Sequence, residues 1–259
     1  MWRGQLGPSL LRCLSLDFRS VTGGWGTATR LMSLLQLSTA HMPDADTCNL
    51  HLAHHVLGLL ASLATCAPRA GHASELEALA FEAHLQNIFS AFVLMTRERP
   101  VLAASALGDG ILLRLVGNED EMVREESLAF VLDVLRQHVA VGIAHVIEQP
   151  AAEDICTEMA SIVLRWRDET APLAASALKL LLQARPALAQ CLFEVPGLVE
   201  ALQLRQSTDE MRDLTTVIRA CHDKYVVSKA ATCIQAVWRG HATRKQMAAL
   251  VRYFPNLHG

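Results

Sequence analysis

The sequence predicts an all-α chain, and three observations carry that expectation. The 259 residues are 51% hydrophobic, long and apolar enough to bury a sizeable core in one large or two small domains. That apolar content is dominated by Leu and Ala, good helix formers, while aromatics make up 5% and tyrosine occurs twice, at Tyr225 and Tyr253. Helix-start signals then recur along the chain at spacings that suit a packed series of helices.

From the N-terminus, Arg3, Arg12 and Arg19 surround a short leucine-rich stretch that has the look of a targeting peptide. Pro8 interrupts the apolar run and Asp17 follows it, so residues 1–22 are read as an irregular terminus. Gly23-Gly24-Trp25-Gly26 is glycine-rich but fits no phosphate-loop pattern and reads as a turn, as does Gly108-Asp109-Gly110. Helix starts are expected where a capping oxygen precedes a carboxylate by three residues: Ser74 with Glu77, Asn118 with Glu121, Ser207 with Glu210. Thr170 before Pro172 marks a further start. Between such signals, Met122, Val123, Phe130, Val131, Val134 and Leu135 follow a helical period over a wide face.

The chain also repeats itself loosely. Arg99-Pro100-Val101-Leu102-Ala103 returns 86 residues later as Arg185-Pro186-Ala187-Leu188-Ala189, and each Pro is expected to stop one helix and open another. Segments beginning at Ser90, Ser127 and Ser176 are spaced by 37 and 49, a mean of 43. That mean lies within the period of armadillo and HEAT repeats, so residues 23–222 are expected to form an armadillo/HEAT-like helical repeat solenoid. A non-repeating helical bundle is the alternative.

Several chemistries are excluded on spacing. Seven cysteines, an odd number without CxxC spacing, argue against zinc and redox sites and are expected to be mostly small buried hydrophobes in a reducing compartment. His51, His54 and His55 with Cys48 place potential metal ligands near one helical face, but no HExxH or second ligand cluster accompanies them. No GxSxG elbow is present, and Glu119, Asp120, Glu121, Glu125 and Glu126 read as a helix start and its solvated face. No cofactor, metal, nucleic-acid or catalytic site is expected. No uninterrupted apolar run reaches the roughly 18 residues of a membrane span, so a soluble chain is expected.

The net charge of −3 conceals an asymmetry. From Lys224 to Gly259 there are six Lys or Arg and no Asp or Glu, which leaves 17 basic against 26 acidic residues in the body. The body therefore carries −9 and the tail +6, and the tail calls for an acidic partner. Within it, Ile234-Gln235-Ala236-Val237-Trp238-Arg239-Gly240-His241-Ala242-Thr243-Arg244 fits IQxxxRGxxxR at every fixed position, and Met247 supplies an apolar residue three positions later.

This is the pattern of a calmodulin-binding IQ helix, expected over residues 223–254. Ile234, Trp238, His241 and Met247 are read as leaning toward related faces, with Val237 beside them. Gln235 offers an amide to loop backbone of the partner, while Arg239, Arg244 and Lys245 offer cations to its carboxylates. Gly240 clears room for close approach at a cost of about 1 kcal/mol to the helix. Because both halves of the motif are present, the resemblance to classical IQ segments implies binding without calcium, with calcium as a modulator and not a trigger. Adhesion to an anionic membrane would require a wider apolar face.

Taken together, these residues give the chain a resemblance to the nephrocystin-type family of IQ calmodulin-binding motif-containing proteins, from about Gly23 to Leu250. Its most specific parts are Gly23-Gly24-Trp25, Lys179-Leu180-Leu181-Leu182, and Lys229-Ala230-Ala231 leading through Ile234-Gln235-Ala236 and Trp238 to Thr243-Arg244-Lys245. The resemblance implies a scaffold at the centrosome and cilium base, within the cytoplasm and cytoskeleton. It further implies partners among centrosomal and ciliary coiled-coil proteins and ciliary cargo-complex subunits. The family continues into further IQ motifs and a coiled coil, whereas this sequence ends twelve residues after Met247, so a single calmodulin per chain is expected. The alternative function is a cytoskeletal or motor-associated structural protein holding a constitutive calmodulin-like light chain.

Overall fold

The structure, a computed structural model, describes residues 46–65, 74–97, 99–138, 149–166, 169–193, 195–204 and 208–253, with separate positions at 29–30, 32–34, 36, 67 and 147. Among them there are helices and no strand, as the Leu- and Ala-rich composition predicts. The helices are α1 (Asp46–Ala64), α2 (Glu75–Thr96), α3 (Pro100–Leu107), α4 (Gly110–Val116), α5 (Glu121–Gln137), α6 (Gln149–Arg165), α7 (Thr170–Ala184), α8 (Ala189–Phe193), α9 (Leu198–Leu204) and α10 (Asp209–Tyr253); a 3-10 turn, Pro186–Leu188, precedes α8.

The expected start of α2 is present in full: the Ser74 hydroxyl accepts from the Glu77 amide at 3.3 Å, and the Ser74 amide donates to the Glu77 carboxylate at 2.9 Å. The start of α5 differs from expectation. Its cap is Asp120, whose carboxylate accepts from the Val123 amide, while Asn118 accepts from the Asp120 amide and shapes the preceding turn. Two short polar residues two apart compete for the cap, and the one adjacent to the first turn takes it. Ser207 lies outside the described residues; at α10 the Thr208 hydroxyl accepts from the Met211 amide at 3.4 Å. Thr170 opens α7 without a side-chain cap, its hydroxyl facing Arg124 instead.

Both Arg-Pro pairs break the chain as expected, and they do so alike: Arg99 has φ −131°, ψ 79° and Arg185 has φ −137°, ψ 77°. Each Pro then occupies the first turn of the next helical element, where its missing amide costs nothing. Gly108 ends α3 and Asp109 caps α4, so Gly108-Asp109-Gly110 is a turn between helices.

Packing runs in two rows. In one, α2 lies on α5, α5 on α7 and α7 on α10; in the other, α1 meets α3 and α4, α4 meets α6, and α6 meets α8 and α9. Phe92 stacks on Phe130 with centroids 5.0 Å apart and Phe89 approaches the same ring at 5.5 Å, joining α2 to α5. Helix α7 touches α5, α6 and α10 because its buried face is mostly small: Ala171, Ala174, Ala175 and Ala177 beside Leu178, Leu181 and Leu182.

Among the described residues, one large charged side chain lies inside. Arg124 is 1% exposed, stacks 3.6 Å over the Trp166 ring, and donates to the carbonyls of Asn118 and Glu119 and the hydroxyl of Thr170. It ties the start of α5 to the α6–α7 turn. The buried His138 ring donates from Nε2 to the Thr96 carbonyl at 2.8 Å, linking the ends of α5 and α2. Helix α2 is long and apolar enough to cross a membrane by length and composition, yet Phe81, Leu85, Ile88, Phe89 and Phe92 are buried in the protein.

Candidate calmodulin-binding helix

Helix α10 has two parts of different character. Over its first turns Met211, Leu214, Thr215 and Ile218 are buried at i, i+3, i+4 and i+7, against α7, α8 and α9. Lys179 of α7 and Asp213 form an ion pair across this contact. The helix continues without a break to Tyr253, yet no described side chain from Asp223 to Gln246 is buried. Residues 223–253 span about 45 Å at the rise of an α-helix.

Every described candidate residue lies on this free part. Ile234 is 69% exposed, Val237 69% and Trp238 73%, values that large apolar side chains reach on a soluble surface only singly or at a binding site. Gln235, Arg239, His241, Arg244 and Lys245 are exposed as well. Arg239, Arg244 and Lys245 form no ion pair with the described residues, and their segment contains no acid, so their charge is directed outward. The Thr243 hydroxyl donates to the Arg239 carbonyl at 2.9 Å, one turn back.

Gly240 has no chain-internal reason to be glycine. Its φ is not positive, and a Cβ built there meets nothing within 4 Å. A residue that weakens its helix and relieves no contact inside the protein has its physical reason outside it.

The register refines the expected faces. Taking 100° per residue, Trp238 and His241 fall within about 40° of Ile234, but position 247 falls about 140° away. Met247 is therefore not on the Ile234 face: thirteen residues is far from a whole number of turns. Its side chain lies outside the described residues. The helix thus offers a stripe of Ile234, Trp238 and His241 on one side and, on the other, Ala236, Gly240, Thr243 and position 247. Motif reading missed Val227, 68% exposed and seven residues before Ile234 on the same stripe. Extending the helical period one heptad upstream would have found it.

His54 Nδ1 lies 2.9 Å from the Asp109 carboxylate, engaging the capping residue of α4. Partial burial first, then the neighbouring His54 and His51, hold His55 below the usual histidine value. Among the described residues no group of three His, Cys, Asp or Glu is placed to hold a metal. Of the cysteines whose side chains are described, Cys156 is buried, Cys191 and Cys221 are half-buried, and Cys233 on the free helix is exposed. A cleft of about 330 Å³ between α1 and α4 has Arg114 as its charged group beside Ser62, Thr65 and Asn118.

No curated protein and no solved structure matches the chain. A segment that matches a known family coincides with the free part of α10: residues 228–247 match the IQ calmodulin-binding motif, which supports calmodulin as a partner.

Proposed function

We propose that this protein is a non-enzymatic adaptor whose terminal helix recruits calmodulin while its helical body engages other proteins. The observation that carries the reading is the exposure of Ile234, Val237 and Trp238 on a helix that its own body leaves uncovered, within the matched motif. One lobe of calmodulin closes over Val227, Ile234 and Trp238. The other takes the opposite face, where Ala236 and Gly240 permit close approach, and Arg239, Arg244 and Lys245 meet its acidic rim.

An armadillo/HEAT-like repeat is our reading of the body. It is supported by the two rows of helices, by the matched backbone at Arg99 and Arg185, and by the positions of Ser90, Ser127 and Ser176 on three helices that pack in succession, α2, α5 and α7. We place the adaptor at the centrosome and cilium base on the strength of the family resemblance alone. Tagged protein should then concentrate at the base of cilia in ciliated cells, and diffuse fluorescence would end that assignment while leaving calmodulin binding intact.

Calorimetry of the full chain with calcium-free calmodulin should give one calmodulin per chain. The double substitution Ile234→Glu with Gln235→Ala should abolish binding, and an unchanged affinity would overturn the reading. The continuity of α10 from the packed body into the motif favours a second reading, a rigid arm holding a permanent light chain. In that case native pull-downs should retain the light chain through both calcium chelation and calcium addition.

A further inference from the structure

We propose that Thr243 is a phosphorylation site that switches the calmodulin helix off; the inference rests on the calmodulin reading above. Thr243 is exposed on the part of α10 that the body leaves free. It stands nine residues after Ile234, about 180° around the helix, on the face that Ala236 and Gly240 keep low. Arg239 precedes it by four residues and Arg244 and Lys245 follow it directly, all exposed and without ion pairs to the described residues. Thr232, exposed on the same helix, has one nearby cation, Lys229.

This setting suits both the making and the effect of a phosphate. A kinase selecting basic residues around its acceptor finds three cations within four residues. The helix here gains nothing from tertiary packing and contains Gly240, so opening it locally to reach the kinase cleft is inexpensive. In the transfer, Thr243 Oγ1 bonds to the γ-phosphorus of a nucleoside triphosphate, the bridging β–γ P–O bond breaks, the nucleoside diphosphate leaves, and the hydroxyl proton passes to the kinase base.

The product carries a charge of about −1.5 to −2. It becomes the first acidic group in a segment that has none from Lys224 to Gly259. Its oxygens capture Arg239 and Arg244, the cations an acidic partner would otherwise meet, and it repels that partner from the face where close approach is required.

The test uses the full chain with phosphoserine installed at position 243, titrated with calcium-free calmodulin. Affinity should fall about ten- to a hundredfold, the loss of one or two charge-assisted contacts, and removing the phosphate with a phosphatase should restore it. In parallel, the unmodified chain incubated with a kinase selective for basic surroundings and a nucleoside triphosphate should acquire phosphate at Thr243 by mass spectrometry. Equal affinity of the phosphorylated and unmodified chains, or phosphate found at Thr232 and not at Thr243, would overturn the proposal. Failure of the unmodified chain to bind calmodulin would instead strike the reading on which the proposal rests.

Discussion

Gly240 sets stability and recognition against each other at one atom. Replacing it with Ala adds a methyl group to open space in the free protein and removes the helix penalty, so the free helix should be stabilised by up to about 1 kcal/mol, visible as higher helicity by circular dichroism. The same methyl enters the surface that a partner must approach closely. Affinity for calmodulin should fall by an overpacking cost of about 1–3 kcal/mol, measurable by calorimetry. A variant that gained both helicity and affinity would remove close approach as the reason for the glycine. Glu126 shows the opposite situation, a side chain that costs the fold energy at neutral pH. It accepts from Gln86 at 2.8 Å, joining α5 to α2, but burial, ahead of the nearby Glu125 and Glu82, raises its carboxyl above the usual carboxylate range. The fold favours the protonated acid, so this group's contribution is complete below about pH 4.5 and is lost as pH rises through the raised folded value. Glu126→Gln keeps the acceptor for Gln86 and removes the charge. Its melting temperature should exceed that of the parent at pH 7, and the two should converge below about pH 4.5.

Among the elements, α10 is where sequence and packing diverge most. Its first turns have buried apolar side chains at helical spacing and its later turns have exposed ones, yet the backbone runs through both as one helix. Helices without tertiary contacts are marginal in water, so the free turns depend on their own propensity and on extension from a nucleus held by the body. Hydrogen exchange should follow this division. Amides from Met211 to Ile218 should be protected with the body, and those from Ala230 to Gln246 should exchange quickly in the free chain and slow when calmodulin is added. Uniform protection along α10 without a partner would show that something else covers the helix. The site was legible at this scale because its features are local: five fixed positions at helical spacing, a basic flank, and no acid. Its faces were only partly legible. Val227 lies beyond the fixed motif, and thirteen residues carry position 247 to a different side from Ile234.

For the whole molecule, helix content and the breaks at Pro100 and Pro186 followed directly from composition and backbone chemistry, since Pro fixes φ and lacks an amide donor. The cap of α5 did not, because Asn118 and Asp120 both satisfy the sequence rule and geometry at the turn chooses between them. Arg124 was not legible at all. An arginine in a helix reads as solvated, and only the convergence of the Asn118–Glu119 carbonyls, the Thr170 hydroxyl and the Trp166 ring from separate elements makes its burial tolerable. The sequence alone determined that this chain is helical, where its breaks fall, and that its last helix bears a calmodulin-binding motif, because propensity, proline geometry and motif spacing act within a few residues. Tertiary structure alone decided which helices pair, which polar groups are buried, and that the body leaves the motif uncovered. Those outcomes depend on contacts between residues far apart in the chain, and a partner can grip the helix because no described side chain from Asp223 to Gln246 is buried.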